Sequence, residues 1–210
     1  IFLAASVSNS AQRTDAVRQS FSDPGVVAII ALVVTDGQEW DRAFETVSEN
    51  WKPSYAVMII ESVYLTRNPS KSGRMIGLLE EKTGKNFGYE LDRWYDWIWN
   101  TPEMKHPEYG EFKGVREGMI DSRFRAYFSN DYPAKIRLDE IRWGGVRQDG
   151  IPPLRNPKMI KAGEADYLDD SNIVFGIEVN GDARAYPKRI LAWHEMFVDT
   201  VGGMPAAGVY

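Results

Sequence analysis

The sequence of 210 residues contains no cysteine. This absence excludes a disulfide, a thiolate nucleophile and a cysteine-based metal site within these residues. Positive charge is also scarce, because 25 Lys and Arg stand against 30 Asp and Glu, which gives a formal net charge of −5. Phosphate binding needs a basic face, so this balance argues against nucleic acid as the main partner.

Long apolar runs are missing as well. The longest extends from Val26 to Val34 and covers about half of the roughly 20 residues that a membrane span requires. We therefore expect a buried helix or strand there, and no transmembrane segment. The hydrophobic content of 43% and the charged content of 26% are ordinary for a globular protein with one large or two small cores.

The chain begins with Ile rather than Met, and its first residues allow two interpretations. In residues 1–12 an apolar stretch, Ile1–Ala5, precedes a run of mostly small residues, which resembles the end of a secretory signal peptide. On this interpretation the protein is extracytoplasmic, either periplasmic or secreted. The alternative is an ordinary amphipathic first helix.

Residues 13–133 carry helical patterns. Ser22–Gly25 is typical of a helix start, with a capping side chain followed by Pro at the first helical position. Between Val57 and Tyr64, apolar residues recur at spacings of three and four, which predicts one buried helix face. Short polar breakers separate the periodic stretches, as in a stack of helix pairs.

Residues 57–99 resemble the closing unit of HEAT-like helical repeat proteins. A leucine-rich helix, a Thr-Gly turn, Phe87-Gly88 and a helix bearing Trp94, Trp97 and Trp99 follow one another there. The resemblance implies a helical module that presents a surface to a protein partner. The three tryptophans could line a core stripe or form a sugar-stacking platform.

The pattern changes after Tyr132-Pro133, where residues 134–210 are expected to form a β-rich domain. Residues 136–143 alternate between apolar and polar, which predicts a strand. Asn180-Gly181 lies between two further alternating runs and predicts a hairpin, because both central positions of a type I′ turn need positive φ.

A helix that begins at Pro187 and runs through Leu191, His194 and Phe197, and a last strand at residues 204–210 after Gly202-Gly203, complete a hairpin–helix–hairpin unit. The predicted fold class is therefore α+β, with an N-terminal helical, HEAT-like module followed by a small β-rich domain.

Several short motifs follow one another in residues 137–210. They are Leu138–Val146, Gly150–Lys158, Gly176–Pro187, Trp193-His194-Glu195 and Val201-Gly202-Gly203-x-Pro205. This order resembles the bacterial and archaeal family catalogued as domain of unknown function 3179, whose members usually have secretory signals. The family has no established activity, so catalytic residues stay unassigned and enzyme status stays open. Members usually continue past the position of Tyr210 into a Cys-x-x-Cys segment, so the resemblance implies a domain truncated at its C-terminal end.

His194 is the candidate metal ligand. A neutral imidazole beside thiolates of a following Cys-x-x-Cys would suit a transition metal such as zinc or copper. The His-Glu-x-x-His signature is incomplete, since Val198 occupies the position of its second histidine. Neighbours on a helix point about 100° apart, so Glu195 cannot readily share one ion with His194 and is a ligand-binding candidate instead. The alternative for His194 is a hydrogen-bonded core histidine.

Arg184 and Tyr186 lie on one face of the second hairpin strand and are further ligand-binding candidates. They could form an anion-binding rim, or Arg184 could pair across the hairpin with Glu178. Asp139 and Glu140 are adjacent, so on a strand they would face opposite sides, which disfavours a shared acid–base pair.

Two functions of different classes follow from these residues. In the first, the β-rich domain is part of a metal- or thiol-dependent site that is completed by residues beyond the chain end. In the second, the protein is a non-catalytic binding or scaffold module that acts through its helical stack.

Overall fold

The computed structural model describes residues 20–130 and 133–209. They divide into two compact units between Trp143 and Gly144. The fold class is α+β, with long helices in the first unit and strands in the second. Residues 1–12, the predicted signal-peptide region, lie outside the described residues. Among the described residues of the first unit, the α-helices are α1 (Pro24–Val34), α2 (Gly37–Glu49), α3 (Tyr55–Leu65), α4 (Pro69–Thr83), α5 (Leu91–Trp99) and α6 (Tyr109–Ile120).

Helix α3 forms the centre of the helical unit. Residues 55–63 of this helix are all buried, including Glu61 and Ser62, although the sequence pattern predicts a single buried face. Tyr64, which belongs to that predicted face, is 44% exposed. Helices α1, α4, α5 and α6 all contact α3, and a helix enclosed by neighbours buries its whole circumference.

Local sequence determines where the helices begin and end. The Asp23 carboxylate accepts a hydrogen bond of 2.9 Å from the Gly25 N–H, and Pro24 takes the first position of α1, as predicted. Asn68 caps α4 in the same way. Gly84 ends α4 with a φ of +69°, a left-handed conformation in which a Cβ would be strained.

The stretch 136–143 belongs to the helical unit and forms no strand, contrary to the sequence pattern. Leu138–Glu140 form a 3-10 turn instead. Arg137 donates two hydrogen bonds to the Asp139 carboxylate, at 2.9 and 2.7 Å, and a third to the Trp99 carbonyl at 3.1 Å. These contacts tie the stretch to α5, so the division between the units lies beyond the predicted boundary at Pro133.

In the second unit, a two-stranded hairpin packs on a three-stranded sheet. The sheet has the order β1-β4-β5, with β1 parallel to β4 and β5 antiparallel to it. Tyr186 of the hairpin stacks on Phe197 of the sheet with ring centroids 3.8 Å apart, and Leu191 completes this small core. The elements are β1 (Leu154–Arg155), β2 (Val174–Val179), β3 (Asp182–Pro187), α7 (Lys188–Leu191), β4 (Met196–Val201) and β5 (Met204–Val209).

Both hairpin turns of this unit, at Asn180-Gly181 and at Gly202-Gly203, contain residues with positive φ. Asn180 and Gly181 have φ values of +50° and +81° between the paired residues Val179 and Asp182, which confirms the predicted two-residue hairpin turn. The order hairpin, helix, hairpin is confirmed as well. The helix is shorter than predicted, however, because it ends at Leu191, so that His194 lies in a turn and Phe197 lies in β4.

Candidate functional site

The turn at residues 192–195 connects α7 to β4 and carries Trp193, His194 and Glu195. The N–H groups of His194 and Glu195 both donate to the Leu191 carbonyl, at 2.9 and 2.7 Å. The short helix therefore holds the backbone of the turn in place.

Backbone strain is concentrated at Glu195. Its φ is +56°, and the N–H of Met196 donates to the His194 carbonyl across it at 2.6 Å. A three-residue turn with positive φ at its centre is rare for a residue that has a Cβ. Such conformations cost on the order of 1–3 kcal/mol and cluster at functional sites, so the turn is a candidate site on its geometry alone.

The imidazole of His194 is half-buried and held by one hydrogen bond. Its Nδ1 lies 2.8 Å from the carbonyl oxygen of Pro152. A carbonyl only accepts hydrogen bonds, so Nδ1 carries the proton, and the neutral ring keeps its lone pair on Nε2. Within residues 20–130 and 133–209, Nε2 has no hydrogen-bond partner.

The two neighbours of His194 are exposed. The Trp193 side chain is 80% exposed, and Glu195 is exposed too. In the described part of the chain, neither side chain forms a hydrogen bond or an ion pair. A carboxylate and an imidazole nitrogen on this turn are therefore open to a ligand.

The strand register places this turn beside the end of β5. Met196, the first residue of β4, pairs with Val209, the last residue of β5. His194 precedes Met196 by two positions, so it lies at the end of the sheet at which β4 begins and β5 ends.

Arg184 and Tyr186 point toward a buried carboxylate that sequence reasoning missed. Asp199, 5% exposed, accepts hydrogen bonds from the Arg184 guanidinium at 2.7 Å and from the Tyr186 hydroxyl at 2.8 Å. Burial acts to raise the pKa of Asp199, but these two hydrogen bonds outweigh it and lower the pKa. The pKa of Tyr186 is raised to about 12, mainly by burial and secondly by the hydrogen bond to Asp199.

The prediction that Arg184 forms an ion pair with Glu178 is wrong. Arg184 is paired with Ile177 in the hairpin, whereas Glu178 is paired with Ala183. Successive residues of a strand face opposite sides, so the two charged side chains lie on different faces. Arg184 instead donates to Asp182, at 3.0 Å, and to Asp199.

This arrangement limits what Arg184 can bind. Two carboxylates already accept its hydrogen bonds, and the N–H of Gly202 donates to Asp182 at 2.9 Å. The charge of Arg184 is already balanced by the carboxylates of Asp182 and Asp199, so an anion-binding rim of Arg184 and Tyr186 stays a prediction.

The helical unit contains a buried cluster of charges. Glu61 and Lys113 are 1% and 0% exposed and lie 2.5 Å apart, N to O. Arg116 pairs with Glu117, and the Tyr109 hydroxyl donates to Glu61 at 2.8 Å. The charges balance within the cluster, which is consistent with a packing role.

The tryptophans of α5 belong largely to the core. Trp94 is fully buried and packs edge-on against Trp97, with ring centroids 5.9 Å apart. Trp97 and Trp99 are partly buried against the same core. Trp94 is therefore a core residue, and its buried ring cannot stack on a sugar.

Across the described residues, no group of three or more His, Asp or Glu side chains is arranged to hold a metal ion. In the same part of the chain, no helix is both long and apolar enough to cross a membrane.

The comparisons with known proteins concern the second unit. Residues 148–210 match the model of the family described as Protein of unknown function (DUF3179). The resemblance inferred from the sequence motifs is confirmed for this segment. No curated protein and no solved structure matches the chain, so the HEAT-like resemblance of residues 57–99 stays a prediction.

Sequence reasoning singled out the Trp193-His194-Glu195 motif, but it placed His194 on a helix rather than in a turn and missed the groups that support the turn. Trp193-His194-Glu195 is a contiguous motif, whereas the Pro152 carbonyl that orients His194 lies 42 residues away. Asp199 reads as an ordinary polar position of an alternating strand. The one available signal was that it falls at a core-facing position between Phe197 and Val201, both buried.

Proposed function

We propose that the DUF3179 segment contributes His194, through Nε2, to a transition-metal site. The further ligands come from residues beyond the chain end, where the family resemblance implies a Cys-x-x-Cys motif. When bound, zinc or copper would supply Lewis-acid or, for copper, redox chemistry. The observation that supports the proposal is the 2.8 Å hydrogen bond from Nδ1 of His194 to the Pro152 carbonyl.

A hydrogen bond of this kind is typical of metal-binding histidines. A carbonyl that accepts from one ring nitrogen fixes the tautomer and the ring orientation, and it makes the other nitrogen a better ligand. The Pro152 carbonyl can do this for His194 because it accepts from Nδ1. In this tautomer of the neutral imidazole, the lone pair lies on Nε2.

The position of the turn favours the same role. The pairing of Met196 with Val209 brings the end of β5 to the beginning of β4, two positions after His194. A segment that follows β5 would therefore start close to the imidazole. The strained φ of Glu195 fits a turn that is maintained for function rather than for stability.

Metal analysis of the full-length protein, including any residues that follow Tyr210, tests the proposal. The wild type should hold a stoichiometric transition metal by inductively coupled plasma mass spectrometry, and His194→Gln should lose most of it. The matched control is His106→Gln, which makes the same change in the helical unit and should retain the metal. Thermal unfolding of all three proteins separates loss of a ligand from loss of the fold.

Three results would reject the metal site. They are a metal-free wild type, a His194→Gln protein that keeps its metal, and a metal loss shared by both variants. A His194→Gln protein that is destabilised, with no metal in either form, would assign the residue to the core instead.

A second candidate function applies to the helical unit, which we propose as a binding or scaffold module for a protein partner. It is motivated by the resemblance of residues 57–99 to HEAT-like helical repeats, which present a surface to a protein partner. Chemical cross-linking in the native host tests it. Recurrent cross-links from this unit to one protein would support it, and their absence would count against it.

We also propose that the protein is extracytoplasmic. The apolar stretch and small residues of positions 1–12 and the usual secretory signals of the resembling family support this location. N-terminal sequencing of protein from the native host tests it. A mature start close to residues 10–13 outside the cytoplasm is expected, and an intact cytoplasmic start would reject the proposal.

A further inference from the structure

Strand β5 forms an edge of the three-stranded sheet. In the described part of the chain it pairs with β4 alone. Its sequence, Met-Pro-Ala-Ala-Gly-Val, contains no charged residue. Lysines, bulges or prolines commonly protect edge strands from pairing with other strands. Of these protective residues, β5 contains only Pro205.

The register identifies which main-chain groups of β5 point outward. The N–H of Asn156 donates to the Val198 carbonyl at 2.8 Å, so the polar groups of Val198 point toward β1. Val198 pairs with Ala207, and in a pair of this type both residues direct their N–H and C=O away from each other. The groups of Ala207 therefore point to the free edge. By the same alternation, the N–H and C=O of Val209 and the carbonyl of Pro205 also point to the free edge.

The outer face of this edge is apolar and accessible. Val209 is 79% exposed, and Pro205 and Ala207 are exposed beside it. The β4 residues on the same face are Met196, Val198 and Thr200. None of these six side chains carries a charge.

We propose that a second copy of this chain pairs with β5 in the antiparallel sense, with Ala207 on the two-fold axis. Ala207 then exchanges two hydrogen bonds with its counterpart, and Pro205 lies opposite Val209. The Val209 N–H donates to the Pro205 carbonyl, while proline offers no donor in return. The two sheets become one continuous sheet of six strands.

Self-pairing fits this edge better than pairing with an unrelated strand. A two-fold axis places the same patch of both copies in contact, so a charged residue on β5 would meet its own like charge. The strand has no charged residue, and each of its outward N–H groups, those of Ala207 and Val209, finds an acceptor in this register. Its side chains next to the axis are small, so two backbones can approach to strand distance.

Sedimentation velocity of the full chain over a range of concentrations tests the proposal. The wild type should dimerise reversibly. Ala207→Pro should weaken the dimer by about tenfold or more, because it removes an outward N–H from each copy. The ladder to β4 does not use that N–H, so the fold should persist.

Ala207→Lys provides a second disruption that leaves the backbone unchanged. It places two like charges next to each other on the axis, and added salt should partly restore the dimer. The matched control is Thr200→Lys, which adds the same charge to the same face on the central strand and should leave the dimer intact. Circular dichroism confirms that each variant is folded.

Each of the following three outcomes overturns the inference. A wild type that stays monomeric over the whole range shows that the edge does not pair with itself. Dimers that persist in both Ala207 variants use another surface. Equal disruption by Thr200→Lys and Ala207→Lys means that the sheets associate through their faces rather than through the β5 edges.

Discussion

His106 Nε2 donates a hydrogen bond of 3.0 Å to the Asp23 carboxylate, although 83 residues separate the two. The other ring nitrogen, Nδ1, accepts from the N–H of Glu108 at 3.1 Å. Both nitrogens are therefore used, and the pair ties the start of α1 to the loop before α6. The sequence around His106 reads as a polar loop, yet the residue is buried.

We predict that Asp23→Asn lowers the free energy of unfolding by about 1–3 kcal/mol at neutral pH. The amide can still cap α1, but it cannot replace the charge that pairs with Lys52 at 2.5 Å or accept equally well from the Tyr55 hydroxyl at 2.6 Å. Urea unfolding of the full chain measures the change.

The control for this substitution is Asp36→Asn. Asp36 also precedes a helix, but it makes no capping bond, and its side chain is 88% exposed. We expect a change of less than about 0.5 kcal/mol there. Equal effects at the two positions would contradict a special role for the buried carboxylate.

The stability of the helical unit should depend on pH through Asp23. Burial acts to raise the pKa of this carboxyl, but hydrogen bonds from Lys52, Tyr55 and His106 outweigh it and hold the pKa well below its usual value of 3.8. The unfolded chain therefore binds the proton more tightly. The stabilisation is complete above the usual pKa and is lost as the pH falls below it.

Unfolding free energies measured between about pH 5 and pH 3 check this dependence. The wild type should lose stability more steeply than Asp23→Asn, because the amide does not titrate. Parallel slopes for the two proteins would show that Asp23 has a similar pKa in the folded and unfolded states.

Gly202→Ala should destabilise the second unit more than Gly203→Ala does. Both glycines have positive φ, +53° and +79°, so both changes strain the backbone. A Cβ at Gly202 would in addition lie 2.0 Å from the Val179 carbonyl oxygen, whereas nothing lies within 4 Å of one at Gly203. We expect a loss of about 1 kcal/mol at Gly203 and a clearly larger one at Gly202. Thermal unfolding compares them, and equal losses would rule out the close approach of the two hairpins.

Glu195→Gly should leave the free energy of unfolding unchanged or raise it by up to about 1 kcal/mol. Glycine adopts the φ of +56° at this position without strain, which offsets its greater freedom in the unfolded chain. Denaturant unfolding measures this effect.

Glu178→Gly is the matched control, since Glu178 is an exposed strand residue of β2 with ordinary backbone geometry. It should lower the stability by about 1 kcal/mol. If Glu195→Gly is as costly as the control, the turn is not strained, and the structural argument for a functional site there is weakened.

Local rules were sufficient for the helix starts and for the Asn180-Gly181 hairpin turn, but not for the turn at residues 192–195, which was predicted as helix. Asp23-Pro24 and Asn180-Gly181 act through their own φ preferences and short hydrogen bonds, so their conformations can be predicted from neighbouring residues. The same holds for the α+β order and for the DUF3179 motifs, which are contiguous. Where two-residue alternation was the only signal, at residues 136–143, the expected strand did not form, because no strand pairs with this stretch and Arg137 bonds to α5.

The sequence by itself therefore determined that a helical region precedes a β-rich one and drew attention to His194, Arg184 and Tyr186. Only the tertiary structure decided what these side chains contact. The Pro152 carbonyl orients His194, and Asp199 accepts from both Arg184 and Tyr186. These partners lie 42 residues from His194 and 15 and 13 residues from Arg184 and Tyr186. The burial of Asp199 strengthens the hydrogen bonds that it accepts, because water no longer competes. Periodicity and motif spacing carry no information on that juxtaposition.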